Sequence, residues 1–212
     1  MLAEHFETII HDLGMARLEH PLFYHAPVGI RFEIGWDGPV YLDKKAEPLP
    51  NPAYVQSALN RATAIYQNLP EQPDILRIDG YPNEEPVESL LTVIREKTGL
   101  PAPQEQAAVV ERDEDGESYS QVQFYWDLNK TSFCPEQLLR EIILGDIGGW
   151  QGFVSGVYLA GPGPILYHLY DDRGLDVLGG FRELLLPLYH QFHDWILEYD
   201  RERIDHLFKS EG

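Results

Sequence analysis

One run of residues near the C-terminus holds most of the side chains that could do chemistry. It consists of Tyr170, Asp171, Asp172, Arg173 and Gly174, with Asp176 close behind. Carboxylates held together can bind a cation or a basic group of a partner, and an arginine beside them can bind a carboxylate. Asp and Gly are also the ordinary residues of tight turns. The same run therefore also predicts a type I turn from Asp171 to Gly174, with Gly174 at positive φ.

A second charged pair lies on a strand predicted for residues 29–35. Apolar and polar residues alternate there, so Arg31 and Glu33 share one face and the apolar side chains share the other. One interpretation is an exposed ion pair, which contributes little to stability. The alternative is that Arg31 meets Asp171 or Asp172 across the sheet. A buried centre of that kind needs every charge to be paired.

Other reactive side chains show weaker patterns. His190 and His193 are spaced i, i+3 beside Asp194, but apolar residues lie between them, and this pattern is typical of a surface pair. Cys134 precedes Pro135 at a predicted helix start, where a thiol is activated, yet no base is placed near it, so we interpret it as a small buried hydrophobe. No nucleotide-binding or hydrolase fingerprint occurs. We expect no metal and no cofactor.

The charge of the chain is strongly acidic and unevenly spread. There are 35 acidic and 16 basic residues, a net charge of −19, and residues 71–127 hold 14 acidic and 4 basic ones, a net −10. The sequence Asp113, Glu114, Asp115, Gly116, Glu117 marks a hairpin tip that lacks the ligand spacing of a calcium loop. Nucleic acid and membrane surfaces need clustered basic residues, so we exclude both. A basic protein is the partner that this charge favours, with the tip as candidate contact.

Three further features indicate where the chain resides. No apolar stretch reaches the ~18 residues of a spanning helix. The first residues lack the basic and apolar regions of a signal peptide. A single cysteine cannot form an internal disulfide, which is typical of the reducing cytoplasm. We expect a cytoplasmic protein whose oligomeric state the sequence leaves open.

Periodicity and turn residues predict a mixed set of elements. Asn51 and Pro52 are a helix cap and first helical residue, and Gly99 ends a later helix. Pro187 fits the first turn of a long final helix, 186–208, with Leu188, Phe192, Trp195, Ile196 and Tyr199 on the face that docks onto the sheet. The predicted helices are 2–18, 52–68, 86–98, 135–144 and 186–208, and the strands are 29–35, 74–81, 107–112, 119–128, 152–159, 164–170 and 175–178.

These elements predict one α+β domain over residues 1–212. Tight turns join the later strands, so they must pair antiparallel. The fold class is a mixed α/β arrangement with a largely antiparallel sheet, helices covering at least one face and a long C-terminal helix.

The run from Tyr170 to Gly174, with Asp176, resembles a bacterial family described as a domain of unknown function, number 3885. The signature extends over about residues 165–208 and includes Leu188-Tyr189, Trp195-Ile196 and a charged tail. The strand at 29–35 is also similar to that family. The resemblance implies a bacterial intracellular protein and brings no activity with it.

Three classes of function remain open. The first is a non-enzymatic, acidic protein-binding module, such as an immunity protein that inhibits a basic toxin. The second is a hydrolase or transferase that uses Asp171, Asp172, Arg173 and Asp176, in which case perturbed carboxyl pKa values should meet in one cleft. The third is a structural or assembly role, which a large exposed apolar patch would favour.

Overall fold

A computed structural model of the protein describes residues 1–35, 37–42, 49–82, 86–112, 118–148 and 154–209. The predicted hairpin tip at 113–117 lies outside these ranges. In chain order the elements are α1 (Leu2–Asp12), α2 (Leu22–His25), β1 (Gly29–Glu33), α3 (Pro52–Gln67), β2 (Ile75–Gly80), α4 (Val87–Thr98), β3 (Glu105–Arg112), β4 (Ser118–Asp127), α5 (Pro135–Ile147), β5 (Val154–Gly161), β6 (Ile165–Leu169), β7 (Gly174–Gly179), α6 (Arg182–Gln191) and α7 (Arg201–Lys209).

Seven strands form a single sheet in the order β1-β7-β6-β5-β2-β4-β3. Every neighbouring pair is antiparallel. Helices lie against this sheet, so the predicted α+β class is confirmed. Within the described ranges, no helix is both long enough and apolar enough to cross a membrane.

The two faces of the sheet are covered differently. The larger apolar core joins one face, here called the major face, to helices α3 to α7. A smaller core joins the opposite, minor face to α1 and to the segment that contains α2. Because successive residues of a strand point to opposite faces, the five inner strands β2, β4, β5, β6 and β7 contribute to both cores.

Local rules account for several helix ends. The Asn51 side chain accepts a hydrogen bond from the Ala53 amide, and Pro52 is the first helical residue of α3, as predicted. Gly99 ends α4 in the left-handed conformation, with φ at 72°. The first helix is shorter than predicted: α1 ends at Asp12 rather than at residue 18. Gly14 has φ at 77°, and a helix cannot continue through that conformation.

The long final helix is the largest correction to the predicted elements. Helix α6 begins at Arg182, so Pro187 lies inside it rather than in its first turn. Two short 3₁₀ turns, 193–195 and 198–200, then separate α6 from α7. The chain breaks there because it pairs with β1: Ile196 bridges Phe32, and the Leu197 amide donates to the Arg31 carbonyl. The pairing of residues 196 and 197 with β1 therefore outweighs the helical periodicity of this segment.

The predicted docking face of that helix is confirmed only in part. Leu188, Phe192 and Ile196 are buried in the larger core. Trp195 is half-buried, stacked on Phe192 with ring centroids 4.9 Å apart, and Tyr199 is exposed. The two aromatic side chains leave the face because they follow the interruption.

Candidate functional site

The run from Tyr170 to Asp176 crosses from β6 to β7, and Asp171 organises its turn. The Asp171 Oδ1 atom accepts hydrogen bonds from the amides of Arg173, at 2.8 Å, and Gly174, at 2.6 Å. The Arg173 side chain is exposed, with its Nη2 atom 3.4 Å from Asp171 Oδ2. This geometry gives Asp171 the role of a turn residue, because its carboxylate satisfies backbone donors at the turn.

The prediction that Gly174 adopts positive φ is wrong. Gly174 begins β7, and among the described residues positive φ occurs at Gly14, Gly99 and Gly148. A glycine is needed here for a different reason. A Cβ atom at this position would overlap the ring and hydroxyl of Tyr170. Glycine at this position leaves space for the Tyr170 ring, and no unusual backbone angle is involved.

Asp172 is buried and turns towards the helices. The Tyr54 hydroxyl, on α3, donates to Asp172 Oδ2 at 2.5 Å. Burial, together with this bond, raises the pKa of Tyr54. The pKa of Asp146 of α5 is raised, first by its hydrogen bond with Asp172 and then by burial, because both disfavour its charged form. The sequence contained no signal that joined Asp146 and Tyr54 to this run.

Asp176 lies on the minor face, away from Asp172, and is paired with Arg31. Its Oδ1 accepts from Arg31 Nε at 2.8 Å and its Oδ2 from Nη2 at 3.1 Å. Arg31 therefore meets a carboxylate of another strand, as predicted, but that carboxylate is Asp176 and the predicted identity, Asp171 or Asp172, is wrong. Antiparallel register places Arg31 opposite Asp176, and β1 ends at Glu33, opposite Gly174. Glu33 is exposed, so the two charged residues of β1 have separate environments.

The charge of Arg31 is fully accommodated in its buried position. Asp200 Oδ2 lies 3.5 Å from Arg31 Nη1, and the Tyr24 hydroxyl donates to the other Asp200 oxygen at 2.9 Å. The guanidinium carbon lies 4.9 Å from the centre of the Tyr24 ring. Burial lowers the pKa of Arg31, but the hydrogen bonds to Asp176 together with the negative charges of Asp176 and Asp200 outweigh it and raise the pKa overall. This centre links β1, β7 and the 198–200 turn, and its charges are paired as a buried position requires.

The Arg31–Asp176 pair is one end of a polar row across the minor face. Asp176 is opposite His168 on β6, whose ring stacks on Tyr158 of β5 with centroids 4.7 Å apart. Tyr158 is in turn opposite Arg77 of β2. No sequence pattern predicts this row, because its members come from separate strands whose register only the fold defines.

His168 is the most unusual member of the polar row. It is 2% exposed, its Nδ1 atom lies 3.1 Å from the Val157 carbonyl, and its Nε2 atom contacts no hydrogen-bonding group in the described residues. Burial, with a smaller contribution from nearby His20, lowers the pKa of His168 to about 3. The imidazole is therefore neutral, with its proton on Nδ1.

Arg77 and Asp79 form a second buried ion pair on the same face. They are two residues apart on β2, and the guanidinium donates to both carboxylate oxygens at 2.6 and 2.9 Å. The Arg77 guanidinium carbon also lies 5.1 Å from the Phe6 ring centre and 5.5 Å from that of Tyr158. The pattern Leu76, Arg77, Ile78, Asp79 alternates as an exposed polar face would, but both charged side chains are buried, with Arg77 beside the Phe6 ring of α1.

A cleft of about 690 Å³ lies over this ion pair, on the part of the minor face that α1 leaves open. Its floor contains Arg77, Asp79, Gln121 and Gln123, and its walls contain Glu7 of α1 and the loop residues Arg17 and Glu19. It extends from Tyr158 on β5 to Val109 and Val110 on β3. This volume falls in the range of sites that bind small molecules or side chains.

The cleft ends at an open edge of the sheet. Strand β3 is the last strand and, within the ranges described here, pairs only with β4. Val110 is 71% exposed. The edge of β1 is different, because residues 196 and 197 bond to it. An uncovered edge strand presents backbone donors and acceptors that can pair with another chain.

The remaining candidates do not assemble a reactive site. His193 Nε2 lies 3.0 Å from Asp205 Oδ1, while His190 and Asp194 are exposed. Among the described residues, no three His, Cys, Asp or Glu side chains are grouped as metal ligands. Cys134 precedes α5, as predicted, but it is exposed, so its interpretation as a buried hydrophobe is wrong. The candidate contacts Asp113, Glu114, Asp115 and Glu117 lie outside the described residues.

Comparison with known proteins identifies the family of this chain but assigns it no activity. No solved structure matches the chain. A Bacillus subtilis (strain 168) protein named "Uncharacterized protein YnaE" is 43% identical over 35 residues, a match that spans 16% of each chain. The model of the family described as "Domain of unknown function (DUF3885)" matches residues 2–200, far more than the signature around Tyr170. The chain therefore belongs to the DUF3885 family.

Proposed function

We propose that this protein is a non-enzymatic binding module that holds an extended, basic segment of a partner protein along the open edge of β3. The observation that carries the proposal is the uncovered edge strand itself. An extended peptide can add to such an edge by main-chain hydrogen bonds, with side-chain contacts providing specificity. An inhibitor or immunity protein that neutralises a basic partner is one form of this function.

The composition of β3 supports strand addition. Natural edge strands are usually protected by proline, lysine, a bulge or a covering element. Residues 106–110 of β3 are Gln, Ala, Ala, Val and Val, with neither a charge nor a proline. The register with β4 runs without a shift from Glu105 to Arg112. The strand is therefore regular, and within the described ranges its central residues 106–110 lack these protective features.

The charge of the hairpin supports a basic occupant. Residues 105–127 contain seven acidic residues and one basic residue, so the hairpin carries 1 − 7, or −6, of the total −19. Such a field increases the rate of encounter with a positively charged protein and repels acidic ones. The single cysteine remains consistent with a cytoplasmic site of action.

The hydrolase or transferase alternative has less support from the geometry. Asp171 binds turn amides, Asp172 bonds to Tyr54 beside the helices, and Asp176 pairs with Arg31 on the minor face. Arg173 is exposed. These four side chains do not converge on one position where a substrate atom could be held, which a shared catalytic role requires.

Two proline variants of β3 test the proposal. Along an edge strand, backbone amides alternate between pointing inward, to the neighbouring strand β4, and outward, to solvent. One of the two variants Ala108→Pro and Val109→Pro therefore removes an outward amide, and the other removes a hydrogen bond to β4. The outward variant should keep the native melting temperature and lose binding. The wild-type protein is first used to select peptides from a random ten-residue display library.

The expected result is enrichment of peptides rich in Arg and Lys that the outward proline variant no longer binds. Peptides that bind that folded variant as well as they bind the wild type would contradict the proposal. Enrichment of acidic peptides would contradict it as well. The inward variant serves as the control, because its lower melting temperature identifies which amide direction each position has.

A further inference from the structure

We infer that the cleft beside β3 binds an arginine side chain of the segment that β3 holds. This inference rests on the proposed function and specifies which group of the partner the minor face recognises. It combines three features of the cleft: its position at the open edge, its preformed polar floor and its acidic wall.

Position connects the cleft to the edge strand. Val109 and Val110 of β3 line one end of it, and Tyr158 of β5 lines the other. A segment added to β3 directs every second side chain to the minor face. A long side chain from that segment therefore passes over Val109 towards Gln121, the neighbouring cleft residue on β4.

The floor of the cleft is fixed before any ligand arrives. The Tyr125 hydroxyl donates to Gln123 Oε1 at 2.8 Å, and Gln123 Nε2 donates to Gln121 Oε1 at 2.9 Å. Burial raises the pKa of Tyr125 to about 12, so its hydroxyl keeps its proton and sets the direction of this chain. Fixed amides reduce the ordering that binding requires.

The wall of the cleft favours a cation. The cleft is lined by the acidic residues Glu7, Glu19 and Asp79 and the basic residues Arg17 and Arg77, a net charge of 2 − 3, or −1. Both Asp79 oxygens already accept from Arg77. Glu7 is different: its side chain is 58% exposed, and its Oε1 lies 3.6 Å from Arg77 Nη1, which is longer than a hydrogen bond. Glu7 therefore remains ion-paired with Arg77, and its exposed carboxylate can accept from a second donor at the same time.

The surroundings suit a guanidinium better than an ammonium group. A guanidinium is planar, weakly hydrated and able to stack on aromatic rings, whereas an ammonium is a compact, strongly hydrated charge. Arg77 already occupies such surroundings in the same cleft, between the Phe6 and Tyr158 rings and beside two carboxylates. The lining of the cleft also includes the Tyr81 ring, the Gln121 amide and the Glu7 carboxylate, and these are the groups that a second guanidinium would contact.

Blocked amino acids test the inference without an identified partner. Acetyl-arginine methylamide is titrated into the ¹⁵N-labelled full chain, with acetyl-citrulline methylamide as its neutral isostere and acetyl-lysine methylamide as the ammonium arm. We expect arginine to shift the amide resonances of Gln121, Gln123 and Glu7, and to bind at least tenfold more tightly than citrulline. Lysine should bind more weakly than arginine.

Two variants that each remove one negative charge complete the test. Glu7→Gln should abolish the preference for arginine over citrulline, whereas Glu96→Gln, on the exposed side of α4, should leave it intact. Equal binding of arginine and citrulline, or shifts that lie outside the cleft, would overturn the inference. A lysine preference over arginine would overturn the choice of guanidinium.

The outcome also separates this inference from the proposed function. If selected peptides bind β3 and lose binding in the outward proline variant, but Glu7→Gln leaves their affinity unchanged, the cleft inference fails and strand addition stands. If the blocked arginine binds the cleft while selected peptides are indifferent to proline in β3, strand addition fails, and with it the claim that the arginine belongs to a segment on β3.

Discussion

At the scale of single residues, the minor face depends on side chains whose ordinary ionisation has been changed by burial. His168 is the clearest case, because it is enclosed by aromatic rings and has one hydrogen bond, to a backbone carbonyl. Its neutral form is part of the folded state. Protonation would place a positive charge beside His20 and in the same row as Arg31.

This burial predicts a pH dependence of stability. The pKa of His168 is about 3 in the folded protein and ~6.5 in an unfolded chain, so the unfolded state takes up the proton first. Stability is therefore present above pH 6.5 and is lost as the pH falls towards 3. Between pH 7 and pH 5 the wild type should lose about 2 kcal/mol more free energy of unfolding than His168→Phe.

Urea unfolding at the two pH values measures this difference. His11→Gln is the matched control, since His11 is exposed and its replacement should leave the wild-type dependence unchanged. If His168→Phe and the wild type lose the same stability between pH 7 and pH 5, His168 is not held neutral by the fold.

At the scale of elements, hydrophobic alternation and capping residues predicted most of the helices and strands. They did not predict the register between strands, and the contacts of the candidate site depend on that register. Asn51 and Pro52 define the start of α3 by local hydrogen bonding, so the sequence was sufficient there. The Arg31–Asp176 pair depends on how β1 aligns with β7, which no short-range pattern specifies. Residues 196 and 197 leave the helical pattern because β1 supplies bonding partners from a distant part of the chain.

The turn between β6 and β7 yields a prediction at the same scale. Replacing Gly174 with alanine places a methyl group against the Tyr170 ring and should destabilise the fold by about 1–3 kcal/mol. In a Tyr170→Ala background the same replacement should cost much less, because the overlap is gone. Thermal unfolding of the two single variants and the double variant gives this coupling; additive losses would show that Tyr170 is not the reason for the glycine.

At the scale of the whole molecule, an acidic chain presents, within the part that the structure describes, an edge strand that pairs only with β4 and lies next to a polar cleft. The helices cover the major face, while α1 covers only part of the minor face. The net charge of −19 acts at a distance, whereas the edge and the cleft act on contact. This division of roles predicts how salt should affect binding.

Salt should change the association rate more than the dissociation rate. For a selected basic peptide, stopped-flow association should slow steeply between low and physiological salt, because screening shortens the reach of the acidic field to ~8 Å. Replacing Asp113, Glu114, Asp115 and Glu117 together with serine should reproduce part of that slowing and leave the melting temperature unchanged. An association rate that is independent of salt, and equal in the two proteins, would remove the acidic hairpin tip from recognition.

Amide hydrogen exchange along β3 tests the central claim most directly. In the free protein, the inward amides of β3 bond to β4 and the outward ones face solvent, so fast and slow exchange should alternate between Glu105 and Arg112. Addition of a saturating selected peptide should slow exchange at the outward amides and leave the inward ones as they were. Exchange at the outward β3 amides that is unchanged by a bound peptide would contradict strand addition.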